Sequence, residues 1–296
     1  YEEFAEMCVA YVKIIKQQAG IDVYALSIQN EPRFSQSYES CVYDGNALRD
    51  LLKTVGSRFK SEGITTKLFL PEDIGYLEGV EGMIKPSLDD AEARQYADIV
   101  AVHGYALDGV TAASPDAQTW KTMYSWGAAY GKPLWMTETS GYPDNFDGAM
   151  ALAKAMLTAI KFGNVSAWLF WQLSQSSIDE FSLMSTAGAK SKRYYASKNF
   201  YKFIRPGAVR ISAEAPEDSK IYPVAFRSAA GDSTILVLIN DNPDQGKLVK
   251  LSSAGLPSSF ELYTTTETDD CADKGAVNTA EPFMLPPNSI VTLAGK

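Results

Sequence analysis

Short apolar runs bounded by turn or loop residues recur along the first two thirds of the chain, at Val23–Ile28, Lys67–Leu70, Asp98–Val102, Pro133–Met136 and Ala167–Trp171. The segments between them carry apolar residues at helical spacing, as in Leu48, Leu51, Leu52, Val55 and Phe59, or Met150, Ala153, Leu157 and Ile160. Continuous apolar strands alternating with amphipathic helices predict a parallel sheet covered by helices, either a (β/α) barrel or a doubly wound sheet. No glycine-rich phosphate loop follows any strand, which argues against a nucleotide-binding sheet. Residues 1–6 open directly in a predicted helix, with Phe4, Cys8, Tyr11 and Ile15 on one side. Five strands are too few to close a cylinder in the usual way, so two exposed sheet edges are expected.

The pattern changes after Arg205-Pro206-Gly207. Runs rich in β-branched residues follow at Ala208–Ser212, Ile221–Phe226, Thr234–Ile239, Leu248–Leu251, Phe260–Thr264 and Ser289–Leu293, separated by turn residues such as Asn240-Asp241-Asn242-Pro243. They predict a β-sandwich. The expected organisation is an incomplete (β/α) barrel over residues 1–206 and an all-β side domain over 207–296.

With 296 residues, 46% of them hydrophobic, the chain can bury a sizeable core. Its formal net charge of −9, with no basic stripe, argues against a nucleic-acid partner and sits poorly with an acidic polymer. No stretch approaches the roughly 20 apolar residues of a membrane span. Cys8, Cys41 and Cys271 form no disulfide framework and read as free thiols. One histidine and scattered cysteines show no ligand spacing, so neither a metal nor a cofactor is expected.

The candidate chemistry lies in two glutamates, Glu31 in Ser27-Ile28-Gln29-Asn30-Glu31-Pro32 and Glu138 in Leu134-Trp135-Met136-Thr137-Glu138. Each stands where a buried strand runs out, a place where a charged group is costly unless a partner or substrate compensates it. Paired carboxylates of this kind point to glycoside hydrolysis, the bland reading being two strand-end carboxylates in salt bridges. In a barrel, catalytic groups sit at the C-terminal ends of the strands, and Glu72, His103, Tyr105 and Trp171 also end strands, which makes them candidates to bind the substrate. Glu72 reads equally as a cleft hydrogen-bonding group and as a solvated loop acid, and His103 equally as a satisfied core residue. His103 and Tyr105 are two residues apart and share one face. Trp171 is placed to stack on a sugar, whereas Trp168 and Trp135 read as packing.

These residues resemble a known family. The stretch Tyr24-Ala25-Leu26-Ser27-Ile28-Gln29-Asn30-Glu31-Pro32, then Tyr38-Glu39-Ser40-Cys41, Trp135-Met136-Thr137-Glu138, Lys190-Ser191-Lys192-Arg193-Tyr194-Tyr195 and Phe203-Ile204-Arg205-Pro206-Gly207 are, in that order, similar to glycoside hydrolase family 30. The resemblance implies a (β/α) barrel in which Val23–Ile28 is strand four, with strands one to three absent. It implies that Glu31 is the acid/base, that Glu138 is the nucleophile and that Asn30 binds the sugar 2-hydroxyl. It also implies an extracellular enzyme with a polysaccharide substrate.

Residues 38–41 favour the xylanase branch. Family members that depend on a glucuronic acid side group use an arginine in the loop after strand eight, but here Gln172–Lys190 has none and carries Asp179 and Glu180. Neutral β-1,4-xylan is therefore the expected substrate, with a β-glucan as the alternative. A non-catalytic carbohydrate-binding module or fragment is the competing class. Self-association or a complementing segment would cover the open barrel.

Overall fold

The computed structural model describes residues 1–74, 77–105 and 116–296. Helix α1 (Glu2–Ala19) precedes five strands, β1 (Ala25–Ser27), β2 (Lys67–Ile74), β3 (Ile99–His103), β4 (Leu134–Glu138) and β5 (Ala167–Trp168). These pair in parallel, in that spatial order. The crossovers are made by α2 (Gly45–Ser61), α3 (Leu77–Asp89), α4 (Ala91–Arg94), α5 (Ala117–Ala128) and α6 (Phe146–Gly163). A strand order that follows the chain without reversing belongs to a (β/α) barrel sheet, since a doubly wound sheet turns back at a switch point. That decides between the two architectures the sequence left open.

Contacts divide the chain into two units, Tyr1–Thr139 with Phe162–Leu169, and Ser140–Lys161 with Phe170–Lys296. In the first, the sheet face bearing Leu68, Leu70, Val100, Val102, Leu134 and Met136 is fully buried. Leu48, Leu51, Leu52, Val55 and Phe59 of α2 are buried as their spacing predicts, each contributing about 1.5–3 kcal/mol. Helix α1 differs from expectation. Its buried face is Ala5, Cys8, Val9 and Val12, while Tyr11 is 52% exposed. Both sets satisfy helical spacing; the set with the smaller side chains is the buried one, and α1 packs on α2. Trp135, expected in the core, is only half-buried; its indole N–H donates to Ser166 and its ring stacks on Tyr24. No helix among the described residues is long and apolar enough to cross a membrane.

In the second unit, short strands β6 (Ser174–Gln175) and β7 (Met184–Ser185) pair within the loop that precedes α7 (Lys192–Tyr201). Then come β8 (Val209–Ile211), β9 (Ile221–Arg227), β10 (Thr234–Asn240), β11 (Lys247–Val249), β12 (Ser259–Thr265), β13 (Ala272–Asn278), β14 (Phe283–Leu285) and β15 (Ser289–Gly295). Six of these form one sheet in the order β13-β12-β15-β10-β9-β8, and β11 pairs with β14. A core of Ile221, Leu236, Leu238, Phe260, Leu262 and Leu293 packs with Phe283 and Leu285 of the β11–β14 pair. The sequence pattern missed β13, an edge strand with mostly exposed residues, and the three-residue β14.

Helix α7 packs on β12 and β15 through a buried polar cluster. The Asn199 amide donates to Thr265 Oγ1 at 2.5 Å, and its carbonyl oxygen accepts from Thr292 at 3.0 Å. Truncating one member strands its buried partners, so Asn199→Ala is expected to cost about 2–3 kcal/mol, read by urea denaturation.

Candidate active site

Strand β1 ends at Ser27, and the chain bends before Glu31 rather than running straight into it. The Glu31 N–H donates to the Glu72 carbonyl at 2.9 Å, which pins the bend to β2. On β2 the pairing with β3 slips by one residue between Pro71 and Asp73, and Glu72 is the extra residue. Such a bulge re-aims a side chain at a strand end. Both Glu31 (φ 42°) and Glu72 (φ 59°) adopt left-handed backbone, which costs a non-glycine residue about 1–3 kcal/mol. Glu138 closes β4 opposite His103, the last residue of β3.

Glu31, Glu72, His103, Tyr105 and Glu138 meet around one imidazole. His103 is fully buried; its Nδ1 lies 3.1 Å from Glu31 Oε1. Its Nε2 is 3.7 Å from Glu72 Oε2 and 4.0 Å from Glu138 Oε2, within ion-pairing range but too far for a hydrogen bond. Tyr105 donates its hydroxyl to Glu138 Oε1 at 3.0 Å. Burial alone would push the imidazole pKa down; the contacts with Glu31 and Glu72 and the charge of Glu138 outweigh it and hold the ring at about 9. The ring is therefore an imidazolium at neutral pH. Burial raises the Glu138 pKa above its ordinary value, partly offset by His103 and by the Tyr105 hydrogen bond.

Glu31, His103 and Glu138 each bring one ligand atom within 4.8 Å of the others, a spacing a cation could bridge. Nδ1 already faces Glu31, so the cluster reads as a proton-sharing group. The same spacing puts an oxygen of Glu31 near one of Glu138. Carboxyl groups about 5–5.5 Å apart suit direct attack at a sugar carbon, whereas separations of about 6.5–9.5 Å leave room for an intervening water.

Two further contributors were not singled out in the sequence. Gln36 Nε2 donates to Glu31 Oε2 at 2.5 Å, and Thr137 Oγ1 donates to Glu72 Oε1. Gln36 lies in an irregular loop without periodicity. Thr137 precedes Glu138, where strand alternation alone put it on the other face; the slip of register between Val102 and His103 opposite it relaxes that rule. Asn30 is exposed beside Glu31. Trp171 belongs to the second unit, three residues past the end of β5, and is 50% exposed.

The loop of residues 172–190 is held internally. The Asp179 carboxylate accepts from Gln175 Nε2 at 2.7 Å, from the Phe181 N–H at 3.0 Å and from Ser182 Oγ at 3.1 Å. Arg193, the first arginine after the loop, is fully buried and donates to the carbonyls of Tyr142, Asp179 and Ser182 and to the Asp144 carboxylate. Arg193→Met would remove the buried donor that ties these carbonyls together; a loss of about 3–5 kcal/mol in thermal or chemical unfolding is expected.

No family model matches the chain. The glucuronoxylanase XynC of Bacillus subtilis strain 168 is 27% identical over 302 residues, covering 100% of this chain and 62% of that protein. The crystal structure of a family 30 endoxylanase from Clostridium papyrosolvens C71 superposes with a TM-score of 0.83 at 27% identity, over 100% of this chain and 71% of the other. The family 30 subfamily 8 xylanase Xyn30A of Clostridium acetobutylicum gives a TM-score of 0.82 at 25% identity, over 99% and 70%. This chain thus spans less than two thirds of the curated relative's length. It resembles the xylanase branch of family 30 along its whole extent, and its parallel sheet is of the (β/α)-barrel kind.

Proposed function

We propose that the chain carries the catalytic centre of a retaining endo-β-1,4-xylanase. The observation behind this reading is the convergence of Glu31 and Glu138, with carboxylate oxygens within 4.8 Å, around one buried imidazole. Glu138, held by Tyr105, attacks the anomeric carbon and forms a glycosyl-enzyme ester. Glu31 protonates the leaving oxygen and then, as base, takes a proton from the water that cleaves the ester. Two displacements restore the starting configuration. Asn30 binds the 2-hydroxyl of the reacting sugar.

The proposed substrate is xylan without a required glucuronate. The loop of residues 172–190 offers no arginine, and the buried Arg193 is already engaged by four acceptors. A polymer of this size is hydrolysed outside the cell, so the reading carries an extracellular site of action. It also takes residues 1–206 as the barrel part and 207–296 as the side domain. A further strand, from another segment or a second copy, is proposed to cover the edge of β1 that faces away from β2.

Proton NMR of linear xylooligosaccharide digestion tests the mechanism: the β-anomer is expected to appear first. Initial α-product would overturn retention. Retention of the protein on insoluble xylan with no reducing ends released would favour a binding module instead. Because Glu138 must be ionised to attack, and burial raises its pKa, the acidic limb of kcat/KM is expected to lie above pH 4.5, the ordinary carboxyl value. A pH profile of linear-xylan hydrolysis measures it.

A further inference from the structure

Two adjacent acids on β2 are treated differently. Asp73 takes a guanidinium, from Arg33. Glu72 has no lysine or arginine partner among the described residues, although it is buried and sits on left-handed backbone at a bulge. Its carboxylate is instead fixed by the Thr137 hydroxyl and faces the His103 ring. A solvated loop acid would not need this arrangement, and a structural one would be expected to share a permanent cation. Strain at an observed outlier is a reason to look for a task.

We propose that Glu72 is a positioning residue: its carboxylate is the counter-charge that keeps the His103 ring protonated and turned toward Glu31 Oε1. The catalytic proton is thereby left to Glu31 Oε2, on the side held by Gln36. The proposal rests on the glycosidase reading for its consequence in turnover, but not for its geometry. Among the described residues, the groups facing the ring are Glu31 from the loop after β1, Glu72 from β2, Tyr105 beyond β3 and Glu138 from β4. Of the three carboxylates, Glu31 and Glu138 are assigned to bond making and breaking, and Glu72 alone is free to serve as a standing charge.

His103 is the chain's single histidine, so its titration can be followed without assignment ambiguity in protein labelled with 15N-histidine. In the unaltered chain the ring is expected to titrate near pH 9. Glu72→Gln keeps the shape and removes the charge; it is expected to lower that midpoint by about one unit or more. In turnover, Glu72→Gln is expected to reduce kcat about 10- to 100-fold with KM within about threefold, the cost of a misplaced proton donor. The alkaline limb should move toward neutral pH. Thr137→Val, which frees the Glu72 carboxylate without changing any charge, should shift the midpoint the same way by less, with Thr137→Ser restoring it. This pair also decides the matter if Glu72→Gln does not fold.

An unchanged His103 midpoint in Glu72→Gln, or in Thr137→Val where Glu72→Gln does not fold, would overturn the proposal. So would a kcat loss with no movement of the alkaline limb. Absence of turnover in every version, the unaltered chain included, would sink the glycosidase reading while leaving the NMR titration to decide the role of Glu72.

Discussion

Glu138→Gln is expected to lower kcat on linear xylan by about four to six orders of magnitude, the range seen when a covalent nucleophile is removed. Glutamine fills the same volume, and its amide oxygen can still accept the Tyr105 hydroxyl, so the loss isolates the carboxylate charge. The neutral amide cannot form the ester and does not stabilise the positive charge that develops on the sugar. Stability should move the other way. The folded state raises the Glu138 pKa, so the favourable contribution is present where the group is protonated, below about its ordinary value, and is lost as pH rises through the shifted one. At neutral pH the ionised carboxylate is a cost to the fold, and the variant should melt at an equal or slightly higher temperature. Reducing-sugar assays paired with thermal melts check both halves; residual activity above about one tenth would remove Glu138 from the proposed role, since a covalent nucleophile cannot be lost with so little effect.

Glu31→Ala should behave differently according to the leaving group. On xylan, where the departing sugar oxygen needs a proton, a loss of about 10²–10⁴-fold is expected, the usual contribution of a general acid. On an aryl β-xylobioside with an acidic phenol the first displacement needs no proton, and ester cleavage becomes the slow step. Added azide should then restore turnover by attacking the ester directly, and the product should be a β-glycosyl azide. An α-azide, or an equal loss on both substrates, would contradict the assignment of Glu31 as acid/base. The variant also takes away the partner of His103 Nδ1, so its folded state should be confirmed by circular dichroism before the comparison is made.

Much of this centre was legible in the residues because the relevant signals are local. Leu134 to Glu138 announces a buried strand ending in an acid, and β4 ends at that residue. His103 and Tyr105, two apart at a strand end, both reach the cluster, with rings 6.1 Å apart. Glu72 was ambiguous, since a β2 ending at Leu70 would have left it in a loop. The strand instead continues to Ile74 through a bulge that no pattern of apolar residues announces. Gln36 and Thr137 were passed over because their importance lies in contacts across the chain, with Glu31 and Glu72 respectively.

The amino-acid sequence by itself determined the alternation of strand and helix, the change to β-branched runs after Gly207, Glu138 at the end of one strand, and the lack of an arginine in residues 172–190; Glu31 falls in the bend after β1 rather than on the strand. Each of these depends on residue type and short-range spacing, which burial and backbone sterics translate directly into local structure. Tertiary structure decided the rest: the barrel-type order of the strands, the buried face of α1, and the charge state at the centre. His103 is cationic because three carboxylates from separate parts of the sheet surround it, and the attraction among groups far apart in sequence outweighs the cost of burying the ring.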